Sequence, residues 1–353
     1  MPKKLFLISL ISIFFISCNL ANKNQIKSSE SFTAMNTYMT VSLYASSQKQ
    51  GAEVCEKIKK RILQLEEILS TTLPQSDVYY INHNKKLPSP LKAEISELLD
   101  FSKIMYEKTD AAYNPALYPL IREWGFTQGE YKVPSEEKIA NLLLHTDFSK
   151  LCDWPCTNGA SINSQMEIDF GAIGKGYAAD QVQKLLEENG IESALLDLGG
   201  NIQVLGKKPD KSFWRVGIKN PWNGEAACAL KVDSKAVVTS GGYERFFEED
   251  GKRYIHIFDS KTGRPVESDL ESVTIITPVT SFPPITSGGK YADCLSTALF
   301  VMGKDKAIDY WKKNPDFDFI LITKEKALIY SEGLKDFIEI LYHFDSLESV
   351  QKD

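Results

Sequence analysis

Histidine is scarce in this chain, and its cysteines follow no metal-binding spacing. The 353 residues include four histidines and six cysteines, with neither an HxxxH nor a CxxC pattern, which argues against a zinc site. Cys152 and Cys156 are close enough to form a disulfide in an oxidising compartment, and the sequence leaves open whether they do. The remaining cysteines of the folded part are expected to be unpaired and buried.

A basic patch is also missing. The formal net charge is −6, and no cluster of lysines and arginines appears, so nucleic acid is excluded as the expected partner. An acidic protein that binds an anionic nucleotide must bring a cation or backbone N–H groups to the phosphates.

No apolar run is long enough to cross a membrane. The longest, residues 5–16, falls short of the roughly 20 residues that a bilayer requires. It follows Lys3 and Lys4, and a basic start before a short apolar stretch is typical of a secretory signal peptide. We therefore predict that residues 1–17 are a signal peptide.

The signal ends in Phe15-Ile16-Ser17-Cys18, which resembles a bacterial lipobox except that Phe15 replaces the usual leucine. This pattern predicts that Cys18 is lipidated and becomes the mature N-terminus; the alternative is an ordinary cleaved signal. Residues 18–31 are polar and would serve as a flexible tether. The expected location is the bacterial cell envelope, as an inner-membrane lipoprotein facing the periplasm.

Hydrophobic periodicity predicts an α+β fold. Apolar residues recur at helical spacing over 54–69, 95–105 and 177–189, and a further helix is expected over 293–302. Strand-like runs dominate the second half of the chain: residues 194–198, 214–218, 236–239, 254–258, 272–277 and 319–323. Residues 283–289 are expected to form a loop. Because no linker divides the halves, residues 32–345 are predicted to form one compact two-lobed unit with mixed and antiparallel sheets and flanking helices.

A glycine-rich segment offers the first candidate site. Residues 168–180 pass from a strand-like start through Gly171, Gly174 and Gly176 into a helix, with Lys175 between the glycines. Glycines let backbone approach a ligand closely, and a helix N-terminus favours anions. The spacing matches neither a Walker A loop nor the GxGxxG dinucleotide motif; a tight turn without function is the alternative.

Polar residues follow several of the predicted strands. Gly199-Gly200-Asn201 follows one strand, and Ser240, Tyr243 and Arg245 follow another. His256 lies in the predicted strand 254–258, where a structural role is the alternative to a catalytic one.

Asp293 and Thr297 lie four residues apart on a predicted helix. A carboxylate and a hydroxyl on one helix face can converge on a single hard cation. The alternative is that Asp293 caps the helix.

Together these segments resemble the ApbE family of flavin transferases. The resemblance runs from about Met35 to Gly303. It rests, in chain order, on Met35-Asn36-Thr37, residues 76–82, residues 115–126, the loop 169–177, Gly199-Gly200-Asn201, Thr239-Ser240-Gly241, residues 256–259 and residues 292–297.

The resemblance implies a Mg²⁺-dependent FAD:protein FMN transferase with an FAD cleft between its lobes. Such an enzyme transfers FMN from FAD to a Ser or Thr hydroxyl of acceptor proteins, such as flavin subunits of membrane redox pumps, and releases AMP. The metal ligands would be Asp293, Thr297 and the backbone oxygen of Ala172. The FAD contacts would be Met35, Thr72, Ala112, Tyr113, Asn114, Asp169, Lys175 and Ile257. His256 is the candidate general base, because it titrates near neutrality.

The chain departs from the family pattern at three positions, which keep two alternatives open. Asn36 replaces a glycine, Asn114 replaces an aspartate, and Thr72 replaces a tyrosine that packs on the flavin. Losing an aromatic face removes a stacking contribution of roughly 0.5–1.5 kcal/mol and could admit water. The first alternative is therefore a Mg²⁺-dependent FAD pyrophosphatase that yields FMN and AMP. The second is a non-catalytic FAD-storage lipoprotein, against which the retained pair Asp293 and Thr297 argues.

Overall fold

The structure is a computed structural model that describes residues 25–127, 129–279, 286 and 288–352. The predicted signal peptide and Cys18 lie outside the described residues, as does most of the predicted loop 283–289. Within the described ranges, no helix combines the length and the apolar character needed to span a bilayer.

Helices flank the sheets of the fold. They are α1 (Gln48–Leu69), α2 (Asp77–Asn84), α3 (Ala93–Lys108), α4 (Tyr118–Glu123), α5 (Glu136–Leu143), α6 (Gly174–Glu188), α7 (Gly288–Met302) and α8 (Lys304–Lys313). Helix α1 shows why the sequence pattern was informative. Its buried residues Val54, Ile58, Ile62 and Leu65 recur every three or four positions, and the Ser47 side chain accepts a hydrogen bond from Gln50 N–H at its start.

Across the described ranges, the strands form one large sheet and three small ones. In chain order they are β1 (Ile26–Ala34), β2 (Thr37–Ala45), β3 (Ala194–Asp197), β4 (Asn201–Leu205), β5 (Trp214–Lys219), β6 (Ala226–Val232), β7 (Lys235–Gly241), β8 (Phe246–Glu249), β9 (Lys252–Ile255), β10 (Phe258–Asp259), β11 (Arg264–Pro265), β12 (Leu270–Pro278), β13 (Asp318–Thr323), β14 (Ala327–Ser331), β15 (Ile338–Ile340) and β16 (Ser346–Val350). The large sheet has the order β1-β2-β3-β4-β7-β12-β13-β14-β16. Its pairs are antiparallel except β14 with β16, which is parallel.

The central strands of the large sheet are buried on both faces. In β13, Phe319 and Leu321 join the core that includes α1, α6 and α7, whereas Ile320 and Ile322 join a second core beneath the three-stranded sheet β15-β6-β5. Because successive side chains point to opposite faces, a strand between two apolar cores reads as a continuous apolar run. The α+β prediction with mixed and antiparallel sheets and flanking helices is confirmed.

Four sequence predictions about boundaries are wrong. Residues 26–31, assigned to the tether, form the first part of β1 and pair with β2. The ordered domain also extends past 345, because β16 pairs with β14. The predicted strand 254–258 is interrupted between β9 and β10, so His256 lies outside a strand. Helix α7 starts at Gly288, so Asp293 is inside the helix and is not its cap.

The cysteines of the described region divide into one bridge and three free thiols. Cys152 and Cys156 form a disulfide with Cα atoms 6.0 Å apart. Cys55, Cys228 and Cys294 are free and buried, as predicted.

Candidate functional site

One cavity of about 760 Å³ contains every site residue predicted within the described part of the chain. It lies where the turn between β1 and β2, the start of α6, the middle of α7 and the ends of several strands meet. Its wall includes Met35, Thr72, Ala112, Tyr113, Asn114, Asp169, Ala172, Lys175, His256, Ile257, Asp293 and Thr297. The volume falls within the range of roughly 300–1,000 Å³ that is usual for ligand sites.

The start of α6 points at a buried carboxylate on α7. Gly176 N–H donates to Asp293 Oδ2 at 2.9 Å, and Asp293 is only 4% exposed. Burial raises the pKa of Asp293, while the Lys175 cation and the Gly176 N–H oppose that rise. The partial positive charge at the helix N-terminus therefore stabilises the carboxylate inside the cavity wall.

This arrangement requires α6 and α7 to approach closely. A Cβ at Gly176 would lie 2.1 Å from the backbone oxygen of Gly289 and 2.8 Å from Asp293 Cβ. The glycines of the sequence motif thus serve helix packing as well as backbone approach to a ligand.

Hydroxyl groups surround the next turn of α7. Ser240 Oγ lies 3.2 Å from Thr297 Oγ1 and 2.8 Å from Ser296 Oγ. Ser296 Oγ donates back to the backbone oxygen of Asp293 at 2.9 Å. These bonds hold the side of the helix that carries Asp293 and Thr297 in one arrangement.

The oxygen atoms proposed as metal ligands fit a hard cation. Ala172, Asp293 and Thr297 line the same cavity and offer a carbonyl, a carboxylate and a hydroxyl, which are donors that Mg²⁺ accepts. Only one of them is acidic. Consistently, the described residues contain no cluster of three or more His, Cys, Asp or Glu side chains suited to a metal.

Asp169 sits at the opposite end of the glycine loop. Its Oδ1 accepts from Gly171 N–H at 3.0 Å, and its own N–H donates to the backbone oxygen of Pro115 at 2.9 Å. Burial raises the pKa of Asp169, while the Gly171 N–H and the Arg245 cation oppose the rise.

Met35 and Asn36 form a tight turn at the cavity rim. Both have positive φ, 49° and 59°, as a two-residue hairpin turn requires. Asparagine tolerates this conformation better than most residues, so Asn36 fits a position where the resemblance implies a glycine. Met35 N–H donates to Glu66 Oε1 at 2.7 Å; Glu66 lines the cavity and was missed by the sequence reasoning.

Three of the predicted ligand contacts have side chains that form hydrogen bonds within the protein. The Tyr113 side chain is 1% exposed, and its hydroxyl lies 2.8 Å from Ser102 Oγ, so its ring supports the wall from behind. Asn114 uses its amide to bond the backbone of Thr146 and Ala116. Thr72 lies in a turn in which its Oγ1 is 3.2 Å from Ser70 Oγ.

His256 does not titrate near neutrality, contrary to the prediction. Burial, with smaller contributions from the Arg245 and Lys175 cations, lowers its pKa to about 4. Its Nδ1 lies 3.1 Å from the backbone oxygen of Arg245, an oxygen that can only accept. Nδ1 therefore carries the proton, and Nε2 is left with the lone pair that a general base needs.

Two polar residues from the sequence motifs gain their contacts only in three dimensions. The Asn201 amide is 3% exposed and lies near enough to Asp293 to lower the pKa of that carboxyl. Yet its Nδ2 makes no hydrogen bond of normal geometry with the described residues. Asp180 accepts from the N–H groups of Gly289 and Lys290 at 2.6 and 3.0 Å, and burial raises its pKa to about 6.

The family model and the sequence relatives that this chain matches point to the same family. Residues 35–321 match the model described as the ApbE family. The chain is 32% identical over 307 residues to the FAD:protein FMN transferase of Klebsiella pneumoniae (strain 342), covering 86% of this chain and 91% of that protein. It is 32% identical to the FAD:protein FMN transferase of Treponema pallidum (strain Nichols), with 84% of each covered.

Solved structures agree with the sequence relatives. The ApbE protein of Thermotoga maritima superposes with a TM-score of 0.79 at 31% identity, covering 88% of this chain and 99% of that one. The flavinyl transferase ApbE of Pseudomonas stutzeri, in its apo form, gives 0.73 at 29% identity, covering 85% and 92%.

Proposed function

The chain belongs to the ApbE family, and we propose that it is an FAD:protein FMN transferase, the activity that names its relatives in Klebsiella pneumoniae and Treponema pallidum. In this proposal the cavity binds FAD, the pyrophosphate is cleaved with Mg²⁺, and FMN passes to a Ser or Thr hydroxyl of an acceptor protein with release of AMP. Flavin-carrying subunits of membrane redox pumps are the proposed acceptors.

The observation that carries the proposal is the meeting of α6 and α7 in the cavity wall. The N-terminus of α6, Lys175 and the buried carboxylate of Asp293 occupy one end of a cavity large enough for a nucleotide. Lys175 and the helix N-terminus favour an anion, whereas Asp293 would repel one. A cation between Asp293 and the phosphates resolves this conflict.

The metal would be held by Asp293, Thr297 and the Ala172 carbonyl, oxygen donors that suit Mg²⁺. When bound, Mg²⁺ neutralises charge on the pyrophosphate and on the departing AMP. The chain's own task is to present these oxygens without rearrangement. The Gly176 N–H and the bonds among Ser240, Ser296 and Thr297 support that task.

The acceptor hydroxyl must lose a proton as it attacks. His256 Nε2 is free to accept that proton, because Nδ1 faces the Arg245 carbonyl. With a pKa of about 4 the His256 ring is unprotonated and available at neutral pH. It is also a weak base, because Lys175 and Arg245 disfavour the charged form that it takes on when it accepts the proton.

FAD hydrolysis is the second candidate, and Thr72 favours it. Thr72 lines the cavity where the family usually presents a tyrosine, so one aromatic cover over the flavin is missing. Water could then replace the acceptor hydroxyl at the same metal. A purely storage role is disfavoured, because binding FAD does not require the hard-cation donors Asp293 and Thr297.

One incubation separates these functions. The purified domain is mixed with FAD, Mg²⁺ and a candidate acceptor protein, and AMP, free FMN and protein-bound flavin are measured. AMP with flavin on the acceptor supports transfer, AMP with free FMN supports hydrolysis, and no AMP under any condition refutes both.

A matched pair of variants tests the metal site. Thr297→Ser keeps the hydroxyl and Thr297→Val removes it at nearly constant volume. We expect the Mg²⁺ concentration that gives half-maximal AMP release to rise by roughly tenfold or more in the valine variant only. Equal Mg²⁺ dependence in both variants would remove Thr297 from the ligand set.

We also propose that Cys18 is lipidated and anchors the domain to the inner membrane, facing the periplasm, with residues between Cys18 and β1 as the tether. The lipobox-like sequence before Cys18 supports this. Metabolic labelling with radioactive palmitate should mark the full chain and not its Cys18→Ser variant; label on both would refute it.

A further inference from the structure

Strand β5 is the edge of the three-stranded sheet β15-β6-β5, and among the described residues only one of its sides is paired. The hydrogen bonds of β6 show which way the backbone groups of β5 point. Lys231 N–H donates to Phe337 O, and Ala227 O accepts from Leu341 N–H. The odd-numbered residues of β6 therefore face β15, and the even-numbered ones face β5.

On β5, the residues opposite those even-numbered positions are the ones that exchange backbone hydrogen bonds with β6. They are Trp214, Val216 and Ile218, paired with Val232, Leu230 and Cys228. The backbone N–H and C=O groups of Arg215 and Gly217 therefore point away from β6. Both residues are exposed, and these outward groups form no hydrogen bond with the described part of the chain.

This open edge leads into the cavity. Gly217 and Lys219 belong to its wall. Lys219 Nζ lies 3.5 Å from Glu244. The next residue, Arg245, accepts a hydrogen bond from the His256 ring at its backbone oxygen. Among the edge strands longer than two residues in the described ranges, only β5 contributes its own residues to the cavity wall.

We infer that the open edge of β5 binds the acceptor protein, as an extended segment that adds one strand and brings its Ser or Thr hydroxyl into the cavity. This inference rests on the proposed transferase function. Arg215 and Gly217 offer donor and acceptor pairs two residues apart, about 6.8 Å along the strand. A polypeptide main chain matches that repeat, and a flavin nucleotide does not.

The side chains next to this edge decide between possible partners. Arg215 and Lys219 lie on the exposed face on either side of Gly217. A second copy of β5 paired antiparallel about Gly217 would set Arg215 opposite Lys219, and like charges directly opposite destabilise a pair. The fitting partner is a neutral or acidic extended segment.

The test distinguishes the contribution of the Arg215 backbone N–H to acceptor binding from that of its side chain. Arg215→Pro removes the outward N–H without removing a β5–β6 bond, and proline is tolerated at such edge positions. Arg215→Ala is the matched control: it retains the N–H and loses only the side chain and its exposed ion pair with Glu339, a type of pair that is worth little.

The acceptor probe is a library of synthetic peptides, each with a single Ser or Thr, incubated with FAD and Mg²⁺ and scored for bound FMN by mass. For the best peptide we expect the KM of Arg215→Pro to exceed that of Arg215→Ala roughly tenfold, because only the proline variant lacks the outward N–H. FAD affinity should be the same in all three proteins. Equal KM values for the proline and alanine variants would overturn the inference.

A second measurement uses the wild-type chain alone, in case the proline variant fails to fold. N-methylation of the best peptide, one residue at a time, should weaken transfer at alternate positions only; loss without that alternation overturns the inference. Transfer to whole proteins but to no peptide overturns it as well and leaves the transferase function intact. Transfer to no acceptor of any kind defeats the proposed function, and the inference with it.

Discussion

Substituting Gly176 by alanine tests whether the crossing of α6 and α7 sets the geometry of the site. The added Cβ would meet the backbone oxygen of Gly289 at 2.1 Å, its carbonyl carbon at 2.4 Å and Asp293 Cβ at 2.8 Å. Normal contacts between such atoms are about 3.5 Å or longer. Because two of the three obstacles are backbone atoms, the helices must separate by roughly 1 Å.

That separation has a cost in stability and a larger one in activity. Overpacking a core costs about 1–3 kcal/mol, which corresponds to a fall in Tm of roughly 1–4 °C for a chain of this size. Asp293 moves with α7 and loses its 2.9 Å bond from Gly176 N–H. Since a displacement of about 1 Å can cost a hundredfold in rate, we expect AMP release to fall by about that factor.

Gly174→Ala is the matched control, because it adds the same methyl group in the same loop. The nearest atom to its Cβ would be Leu69 Cδ1 at 4.0 Å, which is an ordinary contact. We expect its Tm to equal that of the wild type or to exceed it slightly, since alanine favours helix more than glycine does. Thermal melting and an AMP assay check both variants. If Gly176→Ala melts and turns over like Gly174→Ala, the packing argument is refuted.

The remaining predictions concern the site chemistry and the disulfide. Asp293→Asn keeps an acceptor for the Gly176 N–H but loses the charge, so AMP release should fall by about a hundredfold or more, while FAD affinity in EDTA stays within about threefold; turnover near the wild-type rate would contradict the metal assignment. For His256, a folded pKa of about 4 means that the unprotonated base is lost only as pH falls through about 4. We therefore expect no inflection caused by His256 near pH 6.5: the pH profiles of the transfer rate for the wild type and His256→Gln should have the same shape there. The unfolded chain protonates His256 below about pH 6.5, whereas the folded chain does so only near pH 4. Stability therefore falls as pH drops from about 6.5 towards 4. In that range the stability of His256→Gln should fall less steeply with pH than that of the wild type. Opening the Cys152–Cys156 bridge, which closes a loop of sequence separation 4, should lower the free energy of unfolding by about 2 kcal/mol; identical urea curves for the oxidised protein and the double serine variant would contradict this.

The sequence was informative where a feature is local. Helix α1 was predictable because its apolar residues repeat along one face, and that face is the one buried. Most members of the cavity wall were predicted through the resemblance to a family, which rests on short contiguous motifs. Boundaries were less predictable. Residues 26–31 are polar enough to suggest a tether, but pairing with β2 orders them.

Tertiary structure decided which groups meet and what state they are in. Gly176 and Asp293 are 117 positions apart, and only the crossing of α6 and α7 brings the N–H of one to the carboxylate of the other. The sequence gives His256 the usual imidazole pKa, whereas its surroundings lower that pKa to about 4. Likewise, no local pattern shows that the backbone of Arg215 faces an open sheet edge, because that depends on how β6 divides its hydrogen bonds between its two neighbours. Burial, charge proximity and strand pairing are properties of distances through space, and the order of residues along the chain does not contain them directly.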